Sequence, residues 1–230
     1  MPIIRAMAGK GRAASELALR VIAPWLPAPL RAALVIVEKA FAVDAAGLVE
    51  QRIVHFIEAW RRELRQQVEG QYHPQYLDAQ SFTQLLILAI DAVIKERLAD
   101  KRAMYARLLA RADTPEWAHK APRVEEVLVA LIQVSEADLR ILQKFIARVR
   151  AVQRIGPKSE REYVDRTRIT VEGLRRDLLD LTPIALKTYA ARLERLGLVL
   201  SLITAANDLE SGEYVPTHLL EELIALTSDD

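Results

Sequence analysis

The stretch that most limits how this chain can fold is Leu193-Glu194-Arg195-Leu196-Gly197-Leu198-Val199. It closes an apolar-periodic run opened by Thr182-Pro183, where threonine is the cap and proline takes the first helical position. Leu186, Tyr189, Ala190, Leu193 and Leu196 recur every three or four residues and predict one buried helical face. Gly197 supplies the left-handed residue that ends such a helix, a conformation glycine adopts without strain. Leu198 to Ile203 follows at once and is β-compatible. Asn207-Asp208 and Ser211-Gly212 read as turn residues, and Tyr214-Val215 as a returning strand. Thr217 caps a last short helix through Leu219, Leu220, Leu223 and Ile224.

Upstream of this stretch, Ser135-x-x-Asp138 has the form of a capping box, with aspartate standing where glutamate or glutamine is usual. Leu139, Leu142, Phe145, Ile146 and Val149 give its helix an inward face, and Gly156-Pro157 closes it. A second helix is expected from about Glu162 to Leu181, burying Val164, Ile169, Val171, Leu174 and Leu178. Three helices followed by strand, turn and strand resemble the winged helix-turn-helix superfamily over the C-terminal two-fifths of the chain. The residues that carry the resemblance are Leu186, Leu193, Leu196, Gly197, Leu198 and Val199, with Tyr214 to Thr217 after the wing. It implies a binding module whose third helix is the candidate contact element.

The N-terminal half is helical by pattern and is similar to helical proteins of bacteria, a likeness that implies no function. One helix is expected from about Ser15 to Ile22 and a second from Leu30 to Ala42, around the rigid apolar turn Pro24-Trp25-Leu26-Pro27-Ala28-Pro29. Asp44 caps a long amphipathic helix with Leu48, Ile53, Phe56, Trp60 and Leu64 on one face. Gly70 through Pro74 break it, and a further helix is expected from about Asp78 to Ala112. Together the two predict an antiparallel hairpin over about 44–112. Thr114-Pro115-Glu116 reads as another helix start, and Pro122 opens one more through Val124, Val127, Leu128, Leu131 and Ile132. The expected fold class is therefore mainly α: a helical domain over 1–134, then a winged-helix-like domain over 135–230 with a small two-stranded β wing.

Composition narrows the function classes. Hydrophobic residues make up 51% and charged residues 27% of the 230 positions, an ordinary globular balance. The absence of cysteine removes disulfides, thiolate metal sites and cysteine nucleophiles, and is compatible with a cytoplasmic location. The longest charge-free runs, Val21 to Leu30, Ala79 to Ile90 and Leu196 to Asn207, fall short of the roughly 20 residues that a spanning helix needs. Residues 140–204 carry 14 basic and 7 acidic side chains, whereas 205–230 carry 7 acidic and no basic ones. The basic block suits a polyanion, but the adjacent acidic block can equally neutralise it from within.

On the third helix Ile184, Ala185, Lys187, Thr188, Ala191, Arg192 and Arg195 are expected to face solvent. Lys187, Thr188, Arg192 and Arg195 are thus candidate nucleic-acid or partner contacts, extended by Lys144, Arg148, Arg150 and Arg154. The expected wing residues Asn207, Asp208, Glu210 and Glu213 are acidic or neutral, which opposes phosphate, and the helix face offers no Asn or Gln to read adenine. A protein partner or self-association is therefore expected ahead of DNA. No nucleotide-binding, hydrolase or metalloprotease motif occurs, so no catalytic residue, metal or cofactor is expected. His55, His73, His119 and His218 stand far apart, and Asp91, Glu96 and Asp100 interleave with Lys95, Arg97, Lys101 and Arg102 as a solvated, salt-bridged face does. A third reading has the N-terminus touching a membrane surface, with Trp25 and Leu26 behind Arg5, Lys10, Arg12 and Arg20. The plainer alternative is that both cover the end of the helical bundle.

Overall fold

A computed structural model describes residues 48–68, 77–202 and 212–227. The expected helices before Leu48, and Trp25 and Leu26 with them, lie outside the described residues, as do Asn207, Asp208 and Glu210 of the wing. The protein is mainly helical, with one small antiparallel sheet near its C-terminus. It forms two compact units, Met1–Leu128 with Leu226–Asp230, and Val129–Ala225.

In the first unit, α1 (Leu48–Val68) buries Ile53, Phe56 and Trp60, and Trp60 stacks between Phe56 and Phe82 at 6.4 and 6.1 Å. Asp78 caps α2 (Ala79–Lys95), its carboxylate accepting from the backbone of Gln80 and Ser81. The single helix expected over 78–112 is in fact two, since α3 begins only at Ala99 and runs to Ala112. Glu96 and Leu98 adopt extended backbone angles. The Glu96 carboxylate accepts from the Leu98 N–H at 2.9 Å and from Lys101 Nζ at 2.7 Å, while Arg102 donates to the Glu96 and Arg97 carbonyls. Side chains thus satisfy the backbone groups that the break exposes.

That break also corrects the solvated-face reading of these charges. Lys95 and Asp91 pair in water, 73% and 62% exposed. Lys101 and Arg102, by contrast, are 3% and 9% exposed, because α3 turns their stems into the core beside Tyr105. Thr114-Pro115 opens no helix. The Thr114 hydroxyl instead donates to the Arg111 carbonyl at the end of α3, and a 3-10 turn at Ala118–Lys120 leads into α4 (Ala121–Gln133).

In the second unit the capping box at Ser135 and Asp138 forms and opens α5 (Glu136–Ile155), which Gly156 ends at φ +70°. The expected helix from 162 to 181 is interrupted. α6 (Glu160–Thr167) stops where the Thr167 hydroxyl turns back to the Tyr163 carbonyl. The short β1 (Ile169–Thr170) follows, and the Thr170 hydroxyl caps α7 (Val171–Asp177) by accepting from Gly173. β-Branched residues favour the extended step here, and the apolar spacing that suggested one helix is shared between two elements. Thr182 caps α8 (Pro183–Arg195), which Gly197 closes at φ +72° before β2 (Val199–Leu202). β3 (Glu213–Pro216) pairs with both other strands, giving the order β1-β3-β2 rather than a two-stranded wing. Its register sets Tyr214 opposite Ile169 on one side and Ser201 on the other. α9 (His218–Thr227) is the last described element. Leu142, Phe145, Val149, Leu186, Ala190, Leu193, Leu198, Leu220 and Leu223 are fully buried, and α8 packs against both α5 and β2.

Candidate functional site

α8 shows water the face opposite Leu186, Ala190 and Leu193. Ile184 stands 79% exposed at its first turn, and Leu179, in the bend before it, is 84% exposed. Thr188, Ala191 and Arg195 continue the exposed side, and Lys187 is half-buried. The Thr188 hydroxyl donates to the Ile184 carbonyl, which leaves its oxygen facing solvent. Among the described residues, the side chains of Lys187 and Arg195 have no hydrogen-bond or ion-pair partner. They are the two free cations of the candidate face.

Arg192 has a different occupation. Its guanidinium grips Asp138 with two nitrogens, Nε to Oδ1 at 2.9 Å and Nη2 to Oδ2 at 2.5 Å, and also donates to the Ser135 hydroxyl. Asp138 is fully buried and accepts at the same time from the Ser135 N–H at 2.8 Å and hydroxyl at 2.7 Å. The carboxylate that caps α5 therefore also fastens α8, and Tyr189 lies under the guanidinium at 5.3 Å. Sequence inspection found the capping box but not this partner, which is 54 residues away and gives no local signal.

The basic residues of α5 are likewise engaged. Lys144 pairs with Asp177 at 3.1 Å, and Arg148 donates to the Arg166 carbonyl at 2.5 Å. Arg150 is half-buried, and Arg154 is exposed with no described partner. Arg140 was absent from the expected set, yet it holds Asp180 through two 2.6 Å hydrogen bonds. Hydrogen bonding to Arg140 lowers the Asp180 carboxyl below its ordinary range and raises the guanidinium in turn. The spacing of Arg140, Lys144 and Arg148, four residues apart on one helix face, was the available signal. Of the four expected wing residues, Glu213 is described, and it accepts from Arg168 at 3.1 Å.

Elsewhere the candidate chemistry stays dispersed. His55 and His119 are exposed and His73 lies outside the described residues. His218 faces Glu221 and Glu222 at 3.3 and 3.5 Å. No group of three or more His, Asp or Glu side chains among the described residues is arranged to hold a metal ion. No described helix is long and apolar enough to cross a membrane. Compared with known proteins, the chain matches no family model, no curated protein and no solved structure.

Proposed function

We propose that residues 129–225 form a winged helix-turn-helix module used as a cytoplasmic, non-enzymatic interaction unit, with a protein as its partner. The element order α5-α6-β1-α7-α8-β2-β3 and the strand order β1-β3-β2 support the winged-helix reading. One observation favours a protein over a nucleic acid. Arg140, Lys144 and Arg192 are already neutralised by the unit's own carboxylates, whereas Leu179 and Ile184 stand in water at the head of the contact helix. Affinity for DNA scales with the phosphates that free cations can neutralise, whereas exposed large apolar side chains are what a protein interface covers.

DNA binding is the second reading, supported by the two unpaired cations Lys187 and Arg195 on α8. Fluorescence anisotropy with a mixed-sequence duplex at about 150 mM salt separates the two readings. The expected result is binding no tighter than the weak, non-specific range of about 1–100 μM. Tight binding that falls steeply with salt and is lost in Lys187→Ala/Arg195→Ala would instead establish the DNA reading. As a companion measurement, Leu179→Asp/Ile184→Asp is expected to leave stability within about 0.5 kcal/mol of the parent, because neither side chain packs in the core. A larger loss would show that these residues serve the fold rather than a partner.

A further inference from the structure

Three cations follow one another along one face of α5: Arg140, Lys144 and Arg148, about 6 Å apart along the helix axis. Such a row matches a repeating anion. Two of the three are met by carboxylates at the end of α7 and in the bend that follows it, with Asp180 on Arg140 and Asp177 on Lys144. The third, Arg148, is held by a carbonyl, so its charge is not cancelled.

Stability explains these carboxylates poorly. The side chains of both pairs are 37–60% exposed, and solvent-exposed ion pairs contribute little to stability because water and salt screen them. Their effect on what can approach is larger. A phosphodiester strand laid along α5 would meet Asp177 and Asp180 at contact distance and would release fewer counterions for every cation already paired.

We propose that Asp177 and Asp180 are an internal electrostatic cover over a latent, sequence-independent nucleic-acid-binding row on α5. The cover acts as a built-in autoinhibitory contact: the end of α7 and the bend that follows it carry the negative charge that the row would otherwise take from phosphate. This inference rests on the proposed reading and deepens it, since it names the groups that turn a basic helical module away from DNA.

The test measures binding of a fluorescent mixed-sequence duplex across a salt series, using the full chain and its Asp177→Asn/Asp180→Asn variant. In the variant the slope of log affinity against log salt is expected to steepen by about 2, with affinity at about 50 mM salt rising tenfold or more. Arg140→Ala/Lys144→Ala in the same background is expected to erase the gain. Glu116→Gln/Glu125→Gln, which removes equal charge from exposed positions elsewhere, is expected to produce none. Asp180→Asn alone should steepen the slope about half as much, and it carries the test if the double variant fails to fold. A cover-less variant that binds no better than the parent overturns the inference, as does an equal gain in the charge-matched control. If the parent already binds tightly and the variant still steepens the slope, the protein-partner reading falls and the cover stands. If neither binds, the cover falls and the protein-partner reading is untouched.

Discussion

Asp138→Ala is expected to destabilise residues 129–225 by about 3 kcal/mol. The substitution removes the carboxylate that closes the capping box of α5 and strips Arg192 of its partner. Breaking a buried ion pair costs roughly 3–5 kcal/mol when the survivor is left desolvated. Here the Arg192 side chain is 36% exposed and recovers some water, which places the expectation near the low end. Of that loss, about 1 kcal/mol is the capping of α5. The readout has to be chosen with care, because Trp25, Trp60 and Trp117 all precede residue 129. No tryptophan lies within this unit, so amide hydrogen exchange in α5 and α8 is its direct report. Faster exchange in both helices together is the expected signature. Acceleration confined to the first turn of α5 would mean that Asp138 is a cap alone. A double-mutant cycle with Arg192→Ala should give a coupling of about 1–3 kcal/mol, and a value near zero refutes the shared lock.

Glu96→Ala is expected to cost the first unit a similar amount, about 3 kcal/mol, for a related reason. The side chains of Lys101 and Glu96 are only 4% and 14% exposed, so removing the carboxylate leaves an ammonium buried against Tyr105 without its counter-charge. It also frees the Leu98 N–H at the break between α2 and α3. Tryptophan fluorescence suits this unit, and a lower urea midpoint is the expected result. A pH dependence accompanies it. Burial raises the Glu96 carboxyl, but the Lys101 hydrogen bond, the Leu98 N–H and the Lys101 charge outweigh burial and hold it below its ordinary 4.5. A carboxyl depressed in the folded state stabilises above its unfolded value, and that contribution is lost as the pH falls through the lower, folded value. Acid unfolding below about pH 4.5 should therefore be less steep in Glu96→Gln than in the parent. Identical acid limbs would remove Glu96 from the account. The same burial and the neighbouring Glu96 raise the Tyr105 phenol, which stays protonated across this range.

Much of the helical fold could be read from the chain because its punctuation is local. Ser135 with Asp138, Thr182 with Pro183, Gly156 and Gly197 each act within a few residues of where they stand, and each marks a true boundary. What the sequence concealed has non-local causes. β1 is two residues long, too short for alternation to show, and its local β-branched preference becomes a strand through pairing with Tyr214 and Glu213 from over forty residues away. The break at 96–98 carries neither glycine nor proline. It is held open by side chains of Glu96, Lys101 and Arg102 whose apparent role was solvation. At the candidate site, the outward face of α8 was readable from periodicity, and Lys187, Thr188 and Arg195 do face out or half out. Which cations remain free was not readable, because the partners of Arg192, Lys144 and Arg140 lie 33 to 54 residues away in sequence.

If α8 is the contact surface proposed above, the double duty of Asp138 makes one of its cations harder to reach than the others. A ligand that recruits Arg192 outward takes from α5 the group that orients its cap, so the first turn of α5 loosens as the contact forms. The cost of reaching that one arginine is levied on the start of another helix, whereas Lys187 and Arg195 can be engaged at no such cost. Partners that use the two free cations meet a rigid surface. Partners that require the third remodel the unit as they bind.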